Sequence, residues 1–327
     1  MIAQPPRWKL YGVLALGTIA ISTAAILIRL AMQSAEAQGI GFSLVLAAVR
    51  LSLAALSLWV YGLSWKGISL HRSPSSPPTL VPSFPKPPQT AFLYAIVAGL
   101  CLAAHFAAWI TSLSYTSIAA STTLVTTSPI WVALLSRFCF QERLRGQTWF
   151  GILLALLGGL LISHEPQTSA GAQPWLGNGL ALLGAWAATA YLLCGQQAQK
   201  WGLGLQSYVT IVYTMAALLL LPLPWLLGRS YSGYPPSTYL WMGAMALIPQ
   251  LVGHTSFNWA VRYLSPTIVT LVILLEPIGA SLLAYLVFRE LPTYPLILGA
   301  MIVLVGVAIA VTASNNSIQQ SSPPSES

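Results

Sequence analysis

The sequence predicts an all-α membrane protein of ten transmembrane helices, arranged as two inverted units of five. Three observations predict it: a shortage of charge, a series of apolar segments long enough to cross a bilayer, and a repetition of the first half in the second. Hydrophobic residues fill 56% of the 327 positions and charged residues 6%, with a mean hydropathy of +0.73. An ordinary soluble domain carries roughly 25% charged residues, so a water-soluble fold is excluded. Fourteen Lys and Arg face six acidic residues, all Glu, for a net charge of +8. The basic groups stand singly between apolar runs, a scatter that fits loops against anionic headgroups and not a nucleic-acid partner.

A crossing takes roughly 20 apolar residues at 1.5 Å each. Ten segments qualify, near 11–30, 42–62, 91–111, 117–138, 147–163, 175–195, 206–227, 238–258, 267–288 and 293–312. The first follows Arg7 and Lys9 and could pass for a cleaved leader, but it is too long, and similar stretches follow it. Residues 64–90 are rich in Pro and Ser, a composition that denies helix and predicts an extended connection. Residues 313–327 read as a disordered tail. Cys101, Cys139 and Cys194 lie in or at the ends of apolar segments, without the spacing of a zinc site or a disulfide framework.

Basic residues accumulate on cytoplasmic loops. With the N-terminus inside, Arg7, Lys9, Lys66, Arg72, Lys86, Arg137, Arg143, Arg145, Lys200 and Arg262 fall on that side, against Arg29, Arg229 and Arg289 outside. Ten crossings return the C-terminus to the cytoplasm, so both termini are expected there, in the cell (plasma or inner) membrane.

Displaced by 148 positions, the sequence matches itself. Tyr115, Ser117, Thr122 and Pro129 fall on Tyr263, Ser265, Thr270 and Pro277, and Phe140, Glu142, Gly151 and Gly158 on Phe288, Glu290, Gly299 and Gly306. Earlier in each half the offset becomes 167, which places Leu16, Gly17 and Ala20 on Leu183, Gly184 and Ala187. The difference is taken up by the 64–90 connection. The first unit thus spans 11–163 and the second 175–312. Each has an odd number of crossings, so the second inserts upside down, with a pseudo-two-fold axis in the membrane plane and a site near the midplane between the halves.

Ser128-Pro129, Glu142 and Gly151 in one half, Glu276-Pro277, Arg289-Glu290, Gly299 and Gly306 in the other, and Arg50 in the second span resemble the EamA-type branch of the drug/metabolite transporter superfamily. The resemblance covers nearly the whole chain. It implies ten helices in two EamA repeats, a central cavity, export or exchange of small metabolites, and no nucleotide-hydrolysing domain. The sequence contains no GxxxxGK[ST] phosphate loop. It departs from the family pattern in the length of the 64–90 insertion, and its candidate cavity residues match no single substrate class.

The strongest candidate for substrate binding is Glu276, near the middle of the ninth span. A charge there costs about 2.5–3.5 kcal/mol on insertion scales, so it faces a cavity or a partner. It reads as a binding or proton-exchange carboxylate, or else as a buried neutral acid bonded to a neighbouring helix. Pro129 and Pro277 each remove a backbone donor and read as helix kinks, serving either the cavity or packing. His105 with Trp109, and His254 with Asn258, share helix faces at i and i+4 and suit a cavity wall, or equally interhelical bonding. Trp186 and Tyr191 are further candidates, with interfacial anchoring as the alternative. Ser117, Ser121 and Ser128 are assigned to close helix packing. Arg50 needs a carboxylate, an exposed carbonyl or water; an anionic substrate is one reading, and a structural pairing with a Glu or a helix C-terminus is favoured. Glu142 and Glu290, beside Arg143 and Arg289, read as structural charges at turns.

The expected function is secondary transport, with export as the direction, of small polar or amphipathic metabolites such as amino acids, by alternating access. The expected partners are the lipid bilayer, a small-molecule substrate and protons, with a homodimer allowed, no nucleic acid and no cofactor or metal. A non-transporting membrane scaffold is the alternative. An intramembrane enzyme finds less support, since the chain has no HExxH, no GxSxG and no Asp.

Overall fold

The computed structural model describes residues 5–70, 88–139, 146–163, 173–289 and 294–309, without 296, 300 and 307. The described residues are helical, joined by turns and short connections, with no strand among them. The first rod is formed by α1 (Arg7–Ser22) and α2 (Ala24–Ala35), interrupted only at Thr23. There the threonine hydroxyl donates to the Ala20 carbonyl at 2.7 Å, beside the Thr23 N–H at 3.3 Å. Then come α3 (Ile40–Leu70), α4 (Gln89–Ser112), α5 (Ile118–Val125), α6 (Ser128–Cys139) and α7 (Gly146–Ser163). The second half holds α8 (Pro174–Lys200), α9 (Leu205–Leu220), α10 (Leu223–Leu226), α11 (Pro236–Met245), a π-helical segment (Ala246–His254), α12 (Thr255–Ala260), α13 (Pro266–Ile273) and α14 (Glu276–Phe288). A last apolar helical stretch covers 297–306.

Among the described residues, six helices are long and apolar enough to cross a membrane: Arg7–Ala35, Ile40–Gly62, Gln89–Ser112, Pro174–Lys200, Leu205–Leu226 and Pro266–Phe288. The other expected spans are helical too, but α5–α6 is broken, α11–α12 runs through the π segment, and Gly146–Leu161 and 297–306 are short. Two expectations are corrected. Residues 64–70 are helical, because α3 continues to Leu70 and the first proline of the connection is Pro74. Residues 71–87 and 310–327 lie outside the described residues, as do Glu142 and Glu290.

Nor are Pro129 and Pro277 kinks inside continuous helices. Each occupies the second position of a new helix, after a break at Thr126–Thr127 or Leu274–Leu275. In a first turn the missing N–H costs nothing, because that donor would have no intrahelical partner. Ahead of each break the two halves use the same start signal. Ser117 accepts the Ala120 N–H and Ser265 the Ile268 N–H, so serines 148 residues apart cap helices that match end to end.

The halves pack as a two-fold pair. The rod α4 lies along α8, as α11 and the π segment lie along α1 and α2, while α5 packs on α14 and α6 on α13. Between α7 and the last helix the correspondence is atomic. A methyl added at Gly158 would meet the Gly299 carbonyl at 2.6 Å, and one added at Gly306 would meet the Gly151 carbonyl at 2.7 Å. Gly299 and Gly306 are the repeat partners of Gly151 and Gly158. Climbing one helix therefore means descending the other, which is an antiparallel crossing related by a local two-fold. Small residues permit the close approach, and packing of this kind holds helices together where lipid offers no hydrophobic drive.

Candidate functional site

Inside the bundle lies a cavity with about 610 Å³ of atom-free space, counting its mouth. Its walls come from α1, α2, α4, α5, α6, α8, α12, α13, α14 and the end of the π segment. The repeat explains much of the lining. Ile21 faces Ala188 and Ala24 faces Tyr191 across an offset of 167, and Trp109/Phe257, Val125/Ile273 and Ser128/Glu276 correspond across 148. Five repeat-matched pairs line one cavity, so it straddles the pseudo-two-fold. The same symmetry extends to the packing. Gly17 sits where a methyl would meet Ser256 and the edge of the Phe257 ring, and its counterpart Gly184 sits where one would meet the Cβ of Trp109 and a methyl of Val125, so both positions are close-packed against the neighbouring helix.

Chemistry enters where the matched residues differ. Ala24 becomes Tyr191, Phe106 becomes His254 and Ser128 becomes Glu276 in the second half. The Glu276 side chain is 7% exposed and lines the cavity, with no hydrogen bond or ion pair recorded among the described residues. Its counterpart Ser128 donates its hydroxyl to the Val125 carbonyl at 3.1 Å. The carbonyl one turn before each proline lies at the helix break and receives no N–H from the proline, and at Val125 the serine hydroxyl bonds it instead. A carboxyl at that position can donate in the same way only when protonated.

His105 places Nδ1 2.9 Å from the Gly184 carbonyl. A carbonyl only accepts, so Nδ1 carries the proton, and in the neutral ring Nε2 is then the acceptor. The ring stacks on Trp109 at 6.0 Å with planes 10° apart, and His254 meets Phe106 edge-on at 5.2 Å. The Tyr191 hydroxyl donates to Asn258 Oδ1 at 2.7 Å, and the Gln199 amide holds the Asn258 carbonyl at 2.9 Å.

Of the residues singled out in the sequence, Glu276, His105, Trp109, His254 and Tyr191 come together on this cavity. Asn258 stands one layer behind, fixing Tyr191. Trp186 is elsewhere: it is 45% exposed and its ring meets Trp131 edge-on at 5.3 Å. Ser128, assigned from the sequence to helix packing, belongs to the lining, as do Phe257 and Thr126. Its match to Glu276, adjoining the paired prolines, was the signal that could have found it.

Arg50 is fully buried behind the Phe106 ring. Its Nε donates to Gln250 Oε1 at 2.8 Å, and the guanidinium carbon lies 4.2 Å from the Phe106 centroid. The pairing is with an amide and an aromatic face; no carboxylate lies within ion-pair distance among the described residues. Gln250, which the sequence did not mark, is carried by the π segment, whose last residue is the cavity residue His254.

A model of the EamA-like transporter family matches residues 8–164 and 175–312. An uncharacterized transporter of Bacillus subtilis, YdfC, is 27% identical over 197 residues, covering 59% of this chain and 62% of that protein. An uncharacterized transporter of Archaeoglobus fulgidus is 25% identical over 226 residues, 69% of this chain and 77% of its own length. A crystal structure with 18% identity superposes with a TM-score of 0.68, covering 94% of this chain and 98% of the other, and shares the fold.

Proposed function

This chain belongs to the EamA-like transporter family, and from that premise we propose that it is a secondary transporter of small polar or amphipathic metabolites. The observation that carries the reading is the cavity whose lining is drawn from repeat-matched positions of both halves. A site on a pseudo-two-fold can be exposed alternately by rocking one half against the other. In this reading the ten helical segments are ten crossings, the halves are inverted, both termini are cytoplasmic and cargo moves outward. Glu276, His105, Trp109, His254 and Tyr191 contact the substrate: a carboxyl and two imidazoles for polar groups, and ring faces for an apolar or cationic part.

Proton coupling follows from the comparison with Ser128. Protonated Glu276 can donate to the carbonyl freed ahead of Pro277, as Ser128 does ahead of Pro129; the ionised form cannot, and offers its charge to the cavity instead. Protonation and the geometry of the helix break are then linked. The charged or titratable groups around it are Arg50, His105, His254 and Tyr191.

The test is flux in proteoliposomes, using pooled labelled amino acids and metabolites, with and without a pH gradient. Wild type is expected to accumulate cargo with the gradient. Glu276→Gln keeps a permanent donor, so it should retain substrate exchange while losing gradient-driven accumulation by about tenfold or more. Equal accumulation by both proteins would make Glu276 structural, and no flux of any pool would favour a non-transporting scaffold.

A further inference from the structure

Behind the two helix breaks is a second cavity, with about 480 Å³ of atom-free space counting its mouth, walled by α5, α6, α7, the second break, α14 and the last helix. It touches the first. Thr126, at the first break, lines both. Leu274, its repeat partner at the second break, lines the second cavity alone, so this space too lies at the junction of the halves.

Its chemistry is unlike that of the first. Ile130, Leu156, Leu274 and Val303 form the wall, with Leu160 exposed at the rim. Of its three threonines, two turn their hydroxyls to their own backbone, and Thr123 keeps a buried Oγ1 with no hydrogen-bond partner among the described residues. Thr126 donates to the Thr122 and Thr123 carbonyls and Thr127 to the Leu124 carbonyl, so both hydroxyls are bound to their own helix. The Thr123 methyl points to Gly159, where an added side chain would meet it at 2.9 Å. A space of this kind excludes water and accepts hydrocarbon.

We infer that the second cavity binds the aliphatic chain of an amphipathic substrate whose polar head occupies the first cavity at Glu276. This rests on the first cavity being the substrate site, and deepens it: the cargo is a molecule with a cationic or hydrogen-bonding head and an unbranched apolar tail. Three features support that occupant. The cavities share Thr126 as a wall residue, Glu276 is followed in the chain by Pro277 of the second wall, and the charged and titratable groups are confined to the first cavity.

The test is a homologous series of primary n-alkylamines, from ethylamine to dodecylamine, with binding measured calorimetrically on the purified full chain in detergent. Affinity should rise by about fourfold per methylene until the cavity is filled, then level off. Leu156→Trp and, independently, Ile130→Phe narrow the second cavity at partly buried positions; both should move the plateau to shorter chains and leave ethylamine unchanged. Glu276→Gln should weaken every member by a similar factor and leave the slope intact. Head-group binding that depends on Glu276 but shows no chain-length slope overturns the tail site while sparing the first cavity. A slope that neither filling substitution alters, as detergent partitioning would give, overturns it as well. A slope cut by both substitutions but indifferent to Glu276→Gln leaves the tail site standing and overturns the placement of the head. A bilayer phospholipid that co-purifies with wild type, is lost in Leu156→Trp and is not displaced by amines would assign the cavity to lipid and overturn the proposal.

Discussion

Arg50 shows what one buried charge demands. It lies on α3, and its hydrogen bond reaches the π segment of the other half, so it ties the halves together through a single amide. Removing that amide strands the cation: Gln250→Ala should destabilise the protein by about 1.5–3 kcal/mol, read as thermal unfolding in detergent. Arg50→Lys should recover only part, since an ammonium lacks the flat face that lies on Phe106. The capping serines offer a paired measurement. Ser117→Ala and Ser265→Ala each remove one acceptor from a first helical turn, and each should cost about 1 kcal/mol. A cost at one position only would show that the halves are not equivalent at their breaks.

At the scale of elements, the paired glycines decide how closely helices approach. Gly158→Leu and Gly306→Leu each push a side chain into the backbone of the opposing helix. Similar losses of about 3 kcal/mol or more are expected, visible as reduced folded yield and a lower unfolding temperature. Gly12, where an added side chain meets open space, provides the control: Gly12→Leu should leave stability unchanged or slightly raised. The prolines behave differently. Because Pro129 and Pro277 sit in first turns, where they fit without strain, replacing either with Ala should cost less than about 1 kcal/mol. A transport defect without a stability defect in Pro277→Ala would place the effect in the break beside Glu276.

For the whole molecule, the testable consequence of the proposed topology is sidedness. Ser232→Cys, in the connection before α11, should react with an impermeant maleimide in intact cells, and Ala3→Cys only after permeabilisation; the reverse pattern would invert the proposed orientation. The helical class was legible in the composition, and the duplication in Pro129/Pro277, Ser117/Ser265 and the glycines, because bilayer thickness and internal repetition both write long, regular signals into a chain. The broken helices were less legible. A proline at helix start and a proline in mid-helix look alike in sequence, and hydrogen bonds that reset the backbone at Thr126–Thr127 and Leu274–Leu275 separate them. Likewise Glu276, His105, Trp109, His254 and Tyr191 could be picked out by type, since polar and aromatic groups at membrane depth are costly or specialised. Trp186 met the same criteria and turned outward, while Ser128 was passed over and faces the cavity. By itself the sequence determined that the chain is a series of apolar helices and which positions correspond between the halves, since these depend on local apolarity and spacing. The tertiary structure alone decided which matched positions converge on one cavity and that a second, apolar one adjoins it, because convergence depends on the rotation and close approach of helices far apart in the chain.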